Sequence, residues 1–274
     1  MMHSRSRSPG MLFIVVLAVC GTLLFFGRNQ PVTLSRWPGH GTSDRPVPTI
    51  GAVAVPAADP ALLHIVVDDG LYSNERGELD AGVRRAYAYA SARFGGTLNA
   101  PVTVAIVQDS GCALSGIAYT DVRTLQVQTC NSVASGRAIA ILAHEYIHQL
   151  QHDRYGSRHL SADLILSEGM ATWAAGEYWL GDHADFRSYV RAQRDGGVFY
   201  PLATHYAGRS IGEMNALYYQ WASFVEFLMS VYGREMFDQV YITGAGDPGS
   251  AAYASVYGKD LTTLEQEWIA WLGA

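Results

Sequence analysis

Charge is scarce in this chain, with 16% of its 274 residues charged against 49% hydrophobic. That balance excludes a disordered chain and suits one domain of moderate size with a substantial core. The net charge is −6, with no basic run and no stripe of basic residues interleaved with aromatics, so no nucleic-acid partner is expected. There is no internal repeat and no N-glycosylation sequon. Gly244-Ala245-Gly246-Asp247-Pro248-Gly249 matches the dinucleotide fingerprint by letter only, since no strand precedes it and a proline interrupts it. Cysteine is nearly absent as well. Of the three, Cys20 lies in an apolar leader, which leaves Cys112 and Cys130 for the folded part.

What is present begins with a targeting element. Residues 1–10 are a basic leader with Arg5 and Arg7, and Met11 to Phe26 run sixteen residues without a charge. At about 1.5 Å per residue this stretch is slightly short for a membrane span, so residues 11–27 read as a signal peptide or a transmembrane signal anchor. The absence of a small-x-small cleavage site after Phe26 favours the anchor. Residues 28–60 hold six prolines and read as a linker. Either targeting reading puts residues 61–274 outside the cytoplasm, membrane-anchored or, if the leader is cleaved, secreted.

The folded part opens with a strand over Leu62 to Val67. A helix follows over Glu78 to Phe94, with Leu79, Val83, Ala86, Tyr87, Ala90 and Phe94 at helical spacing, and then a second strand from Pro101 to Val107. His64 has no partner at metal spacing and reads as a sheet residue. Ser115 to Tyr119 and Thr124 to Thr129 predict a hairpin turning at residues 120–123. Such a hairpin sets Cys112 and Cys130 opposite each other for a disulfide; two reduced cysteines or an incomplete zinc site are the alternatives.

The next stretch carries the chemistry. In His144-Glu145-Tyr146-Ile147-His148, residues four apart share one helix face, so His144 and His148 can present two nitrogens to one Zn²⁺ while Glu145 stands beside it. Ile139, Leu142, Ala143, Tyr146, Ile147 and Leu150 supply the apolar stripe that makes the segment a helix. Asn131 or Ser132 could cap its start, and Gly156 fits its end. The bland reading is a solvated polar face. A third ligand argues against that reading. Gln151 and Arg154 rule out the metzincin spacing, but Ser167-Glu168-Gly169-Met170-Ala171-Thr172-Trp173 brings a carboxylate at the opening of a second apolar helix.

This pair of motifs resembles the gluzincins, the thermolysin-like zinc peptidases, in the form of the small bacterial families with a Ser-Glu-Gly-x-Ala signature. Tyr218 to Leu228 with Tyr232-Gly233, and the closing Leu264 to Leu272, are similar to later segments of those families. The resemblance implies an α+β fold, with a small mixed N-terminal sheet and a mainly helical C-terminal half. It implies zinc held by His144, His148 and Glu168, with Glu145 as general base in peptide-bond hydrolysis. It also implies a substrate-pairing edge strand at Gly116, Ile117, Ala118 and Tyr119, and an oxyanion donor from the C-terminal half, Tyr218 first and His205 second. Where the family often has a carboxylate four residues after the ligand glutamate, this chain has Thr172; Asp163 or Asp153 could substitute. His152 and His159 read as surface residues.

Past these motifs the periodicity predicts a helix over Asp182 to Arg194, capped by Asp182 and with Asp185, Arg187, Arg191 and Arg194 on a solvated face. A loop over residues 196–209 follows, then an aromatic helix over Glu213 to Tyr232 and two shorter helices at the end. A peptide or protein substrate and a monomer are expected. The competing class is a membrane-anchored, non-catalytic zinc-binding or interaction module of the same fold, and a zinc hydrolase of non-peptide amides would share every residue named.

Overall fold

The computed structural model describes residues 59–274. The leader, the apolar segment and all but the last two residues of the linker lie outside them. Asp59 caps a short 3-10 turn, Pro60–Leu62, that leads into the first strand. No helix among the described residues is long and apolar enough to cross a membrane.

β1 (Leu63–Val67) is followed by α1 (Arg76–Phe94), which returns the chain so that β2 (Val102–Gln108) pairs parallel to β1. Parallel neighbours need a crossover of this kind. Asp109 then turns the chain, its carboxylate accepting the N–H groups of Gly111 and Ala113. The hairpin of β3 (Ser115–Tyr119) and β4 (Thr124–Thr129) follows, with β4 inserted beside β2. The strand order is β1-β2-β4-β3, with β3 antiparallel at one edge. Arg123 closes the hairpin turn at φ 52, held there because its guanidinium donates to Ala100 and Pro101 carbonyls and pairs with Asp153. The predicted strands fall within a residue of the observed ones.

The sheet is two-sided in the period-2 sense. Val102, Val104 and Ile106 of β2 and Leu125 and Val127 of β4 are buried, while their neighbours are half-buried. Directly paired residues share a face, so Val67, Ile106, Val127 and Gly116 form one row across the four strands. His64 faces solvent.

α1 packs against α2 (Ser135–Tyr155), which runs beside β3 and β4. All six predicted apolar positions of α1 are buried, and Gly95 ends it in the left-handed region. α2 ends at Gly156 as expected, but neither Asn131 nor Ser132 caps its start. Ala134 is the N-cap and offers no side-chain bond. Asn131 is diverted, accepting from Tyr72 N–H and donating to the Gly70 carbonyl, and Ser132 Oγ sits beside Cys130 Sγ.

α3 (Leu164–Ala175) starts three residues before the Ser167-Glu168 pair, so Glu168 lies in its second turn rather than opening it. Asp163 caps it and also accepts from Gly249 N–H, Ala251 N–H and the Tyr253 hydroxyl. α4 (Glu177–Leu180) is a single turn, and α5 (Phe186–Asp195) is capped by Asp185, whose carboxylate accepts from Ser188 N–H. Asp182 is therefore not the cap. The charged face predicted there is only partly solvated: Arg191 is exposed, while Arg187 lies over the Trp271 ring and Arg194 reaches the Ile269 carbonyl.

α6 (Ile211–Tyr232), opened by a Ser210/Glu213 capping box, packs along α3 so closely that a Cβ on Gly169 would stand 2.6 Å from the Trp221 carbonyl oxygen. The glycine of the Ser-Glu-Gly motif thus has a packing reason. α7 (Arg234–Tyr241), α8 (Tyr253–Tyr257) and α9 (Leu261–Gly273) complete an α+β architecture of four strands and nine α-helices among the described residues.

Glu226 on α6 bears on stability. Burial, with Asp185 nearby, pushes its carboxyl up to about 7, and its one backbone donor, Arg187 N–H, does not reverse this. A folded-state pKa above the unfolded one makes the ionised group a cost, growing as pH rises from about 4.5 through 7. Glu226→Gln should therefore stabilise the protein at pH 8 by roughly 1–3 kcal/mol and not at pH 4. Denaturant midpoints at the two pH values check this, and an equal change at both would refute it.

Candidate metal centre

α2 carries His144, Glu145 and His148 on one face, and α3 brings Glu168 across to meet them. His144 Nε2 lies 3.1 Å from Glu168 Oε2 and 3.1 Å from His148 Nε2, and His148 Nε2 lies 3.6 Å from Glu168 Oε2. All three side chains are buried, and their donor atoms lie within 4.8 Å of one another, so this group could hold a metal ion. The helix geometry explains the meeting, because i and i+4 stack and α3 packs against α2 at this level.

The far nitrogens of the two imidazoles are also engaged. Gln151 Oε1 is 2.9 Å from His148 Nδ1, and Thr172 Oγ1 is 3.4 Å from His144 Nδ1. Thr172 therefore stands where the carboxylate was expected. Asp163 and Asp153 are both committed elsewhere: Asp163 caps α3, and Asp153 pairs with Arg123 and accepts from Asn99 N–H. Neither reaches an imidazole.

Electrostatically the trio is a coupled set. Burial lowers His144. Burial would also lower His148, but the Glu168 carboxylate outweighs it and the pKa is pushed up to about 9. Burial works to raise Glu168, yet the two histidines hold it well below the usual carboxylate range. Without a metal, then, a proton bound to His148 offsets the Glu168 charge, and a metal must displace it.

Glu145 differs. It is buried, burial pushes its pKa up to about 7, and its Oε2 has no hydrogen-bond partner among the described residues. Its other oxygen lies under the edge strand. The row Val67, Ile106, Val127 ends in Gly116, where a Cβ would come within 2.5 Å of Glu145 Oε1 and 2.4 Å of Ile141 Cγ2. A larger residue at this position would force the Glu145 and Ile141 side chains to shift. Ile117 and Ala118 are half-buried, Tyr119 is exposed, and among the described residues no strand pairs with the side of β3 away from β4.

Aromatic groups surround His144. The Tyr218 ring stacks on it at 5.8 Å with planes 1° apart, and Trp179 lies 5.2 Å away, its Nε1 buried and without a partner among the described residues. Burial, with Glu168 beside it, raises the Tyr218 hydroxyl well above its ordinary pKa. His205 is exposed, with Nδ1 accepting from Ala207 N–H. Its neighbour Tyr206 reaches further in, 5.9 Å from the Tyr218 ring. His159 is not a plain surface residue. It is half-buried, 5.8 Å from the His148 ring, with Nδ1 2.8 Å from the Tyr241 hydroxyl, and burial pushes it down to about 3. His152, half-buried, lies 3.3 Å from Asp121.

Cys112 and Cys130 form a disulfide with Cα atoms 5.0 Å apart. Cys112 sits just before β3 and Cys130 just after β4, so the bond closes the open end of the hairpin. Gln151, Trp179, Tyr206 and His159 were not singled out from sequence as part of the site. Of these, Tyr206 lies in the loop expected over residues 196–209. Comparison of the chain with family models, with curated proteins and with solved structures finds no match.

Proposed function

We propose that this chain is a zinc-dependent peptidase of the gluzincin, thermolysin-like type. The observation that carries the reading is Glu145, a buried carboxylate beside three converging metal donors, with one oxygen unpartnered among the described residues. Metal binding alone needs no such group, whereas moving a proton beside a metal does. The two-histidine, one-glutamate donor set and its spacing favour zinc. Tetrahedral bonds of about 2.0–2.1 Å set ligand atoms about 3.3 Å apart, and the separations here are 3.1, 3.1 and 3.6 Å.

Zinc held by His144, His148 and Glu168 would lower the pKa of water and polarise a carbonyl. Glu145 takes a proton from the attacking water and delivers it to the leaving amine. Burial suits it to both tasks, because a carboxyl raised towards 7 accepts and releases a proton near neutral pH. A peptide adds as a strand along the free side of β3, over Gly116 to Tyr119, which lays its backbone across Glu145. Tyr218 is the first candidate to donate to the developing oxyanion, because its raised pKa keeps the hydroxyl protonated. His205 is the second, and Tyr206 lies between them. The disulfide supports an oxidising, extracytoplasmic setting, with the N-terminal segment as anchor or cleaved signal.

The full-length chain loaded with zinc should hydrolyse an unfolded protein substrate, stop when a chelator is added, and recover when zinc is returned. A folded, zinc-loaded chain that cleaves no peptide would move the reading to a non-catalytic zinc-binding module.

A further inference from the structure

We propose that Gln151 is the residue that positions His148 for the metal, fixing its tautomer while tying it to the helix that carries Glu168. The inference rests on the metal reading above. The orientation of the Gln151 amide follows from chemistry. Nε2 lies 2.8 Å from the Ser167 carbonyl, which can only accept, so that end must be the donor. Turning the amide over would set two acceptor oxygens against each other. Oε1 therefore faces His148 Nδ1 at 2.9 Å, and an acceptor there requires a proton on Nδ1. In a neutral imidazole this leaves the lone pair on Nε2. Nε2 is the atom that faces His144 and Glu168.

Burial makes the arrangement binding. Gln151 is 0% exposed, so no bulk water can replace either partner, and losing one leaves a buried polar group unpaired. Ser167 immediately precedes Glu168, so one amide governs two of the three metal donors. Among the described residues His144 has a weaker counterpart, its Nδ1 meeting the Thr172 hydroxyl at the longer distance of 3.4 Å. A neutral amide also adds no negative charge to a pocket that already buries Glu145 and Glu168. Gln151 is thus a positioning residue that acts through His148 and touches no substrate.

Three full-length chains test this: wild type, Gln151→Leu and Gln151→Glu. Zinc affinity is read by competition with a chromophoric chelator, and thermal unfolding is read on the metal-free forms. Gln151→Leu should weaken zinc binding about 10–100-fold. Gln151→Glu keeps an acceptor for His148 and loses the donor to Ser167, so it should retain most of the affinity while its metal-free form melts lower. A glutamine that only packs the core would not separate the two readouts. Wild-type affinity in Gln151→Leu, or equal loss in both variants, would overturn the proposal. If Gln151→Leu does not fold, nitrogen-15 NMR of zinc-loaded wild type decides: His148 should be protonated at Nδ1 and ligated through Nε2, and ligation through Nδ1 would overturn it. Wild type that takes up no zinc, seen before any variant is compared, sinks the metal reading and this inference with it.

Discussion

Glu145→Gln is expected to leave a folded chain that still binds one zinc while peptide hydrolysis falls by about 10²–10⁴-fold. The substitution keeps the shape of the side chain and removes its ability to hold a proton in transit. His144, His148 and Glu168 are untouched, so metal content should not change. A second readout separates this from simple damage. In the metal-free chain burial holds Glu145 near 7, above its unfolded value, so the ionised carboxylate costs stability as pH rises from about 4.5 through 7. The amide escapes that cost, so the metal-free variant should melt higher than wild type at pH 8 and no higher at pH 4. Activity lost together with stability would mean that Glu145 is structural, and activity retained would remove it from the chemistry altogether. A gain in stability with a loss of turnover is what a group kept for function predicts.

The parts of the site that were legible in sequence are those fixed by local geometry. Two histidines four apart on a helix share a face wherever that helix packs, and the apolar stripe of Ile139 to Leu150 established the helix. The hairpin was legible for the same reason, because alternation and a turn place Cys112 near Cys130 without help from the rest of the fold. What escaped depends on partners far along the chain. Asn131 does not cap α2 because Tyr72 and Gly70, some sixty residues earlier, take its amide. His159 is drawn inward by Tyr241, from α7. Gln151 gains its role only once α3 sets the Ser167 carbonyl opposite it. The start of α5 moved for a related reason: Asp185, not Asp182, has its carboxylate against Ser188 N–H, and Phe186 is buried directly after it.

Removal of the third ligand should have the largest effect on metal binding. With zinc in excess of its dissociation constant by about a hundredfold, binding to the folded state alone contributes about 2.7 kcal/mol. For a domain of this size that is about 2–4 °C per kcal/mol, so zinc should raise the Tm of wild type by about 5–10 °C and a chelator should reverse it. Glu168→Ala should abolish the shift. Two imidazoles remain, but the buried carboxylate that offsets the charge of the ion is gone. The metal-free variant has its own signature. Burial works to lower His148 and Glu168 is the main group pushing it up to about 9, so the loss of Glu168 lets burial draw that imidazole back down. A raised histidine contributes stability that is fully present below pH 6.5 and lost as pH rises through 9, while the depressed Glu168 contributes stability present above pH 4.5. Glu168→Ala should therefore cost the metal-free chain most between pH 4.5 and 6.5, roughly 3 kcal/mol for breaking a buried pair, and progressively less towards pH 9. Melting curves across that range, with and without zinc, read both effects. A zinc-induced shift that survives in Glu168→Ala would take Glu168 out of the metal centre and leave the two histidines in need of another third ligand.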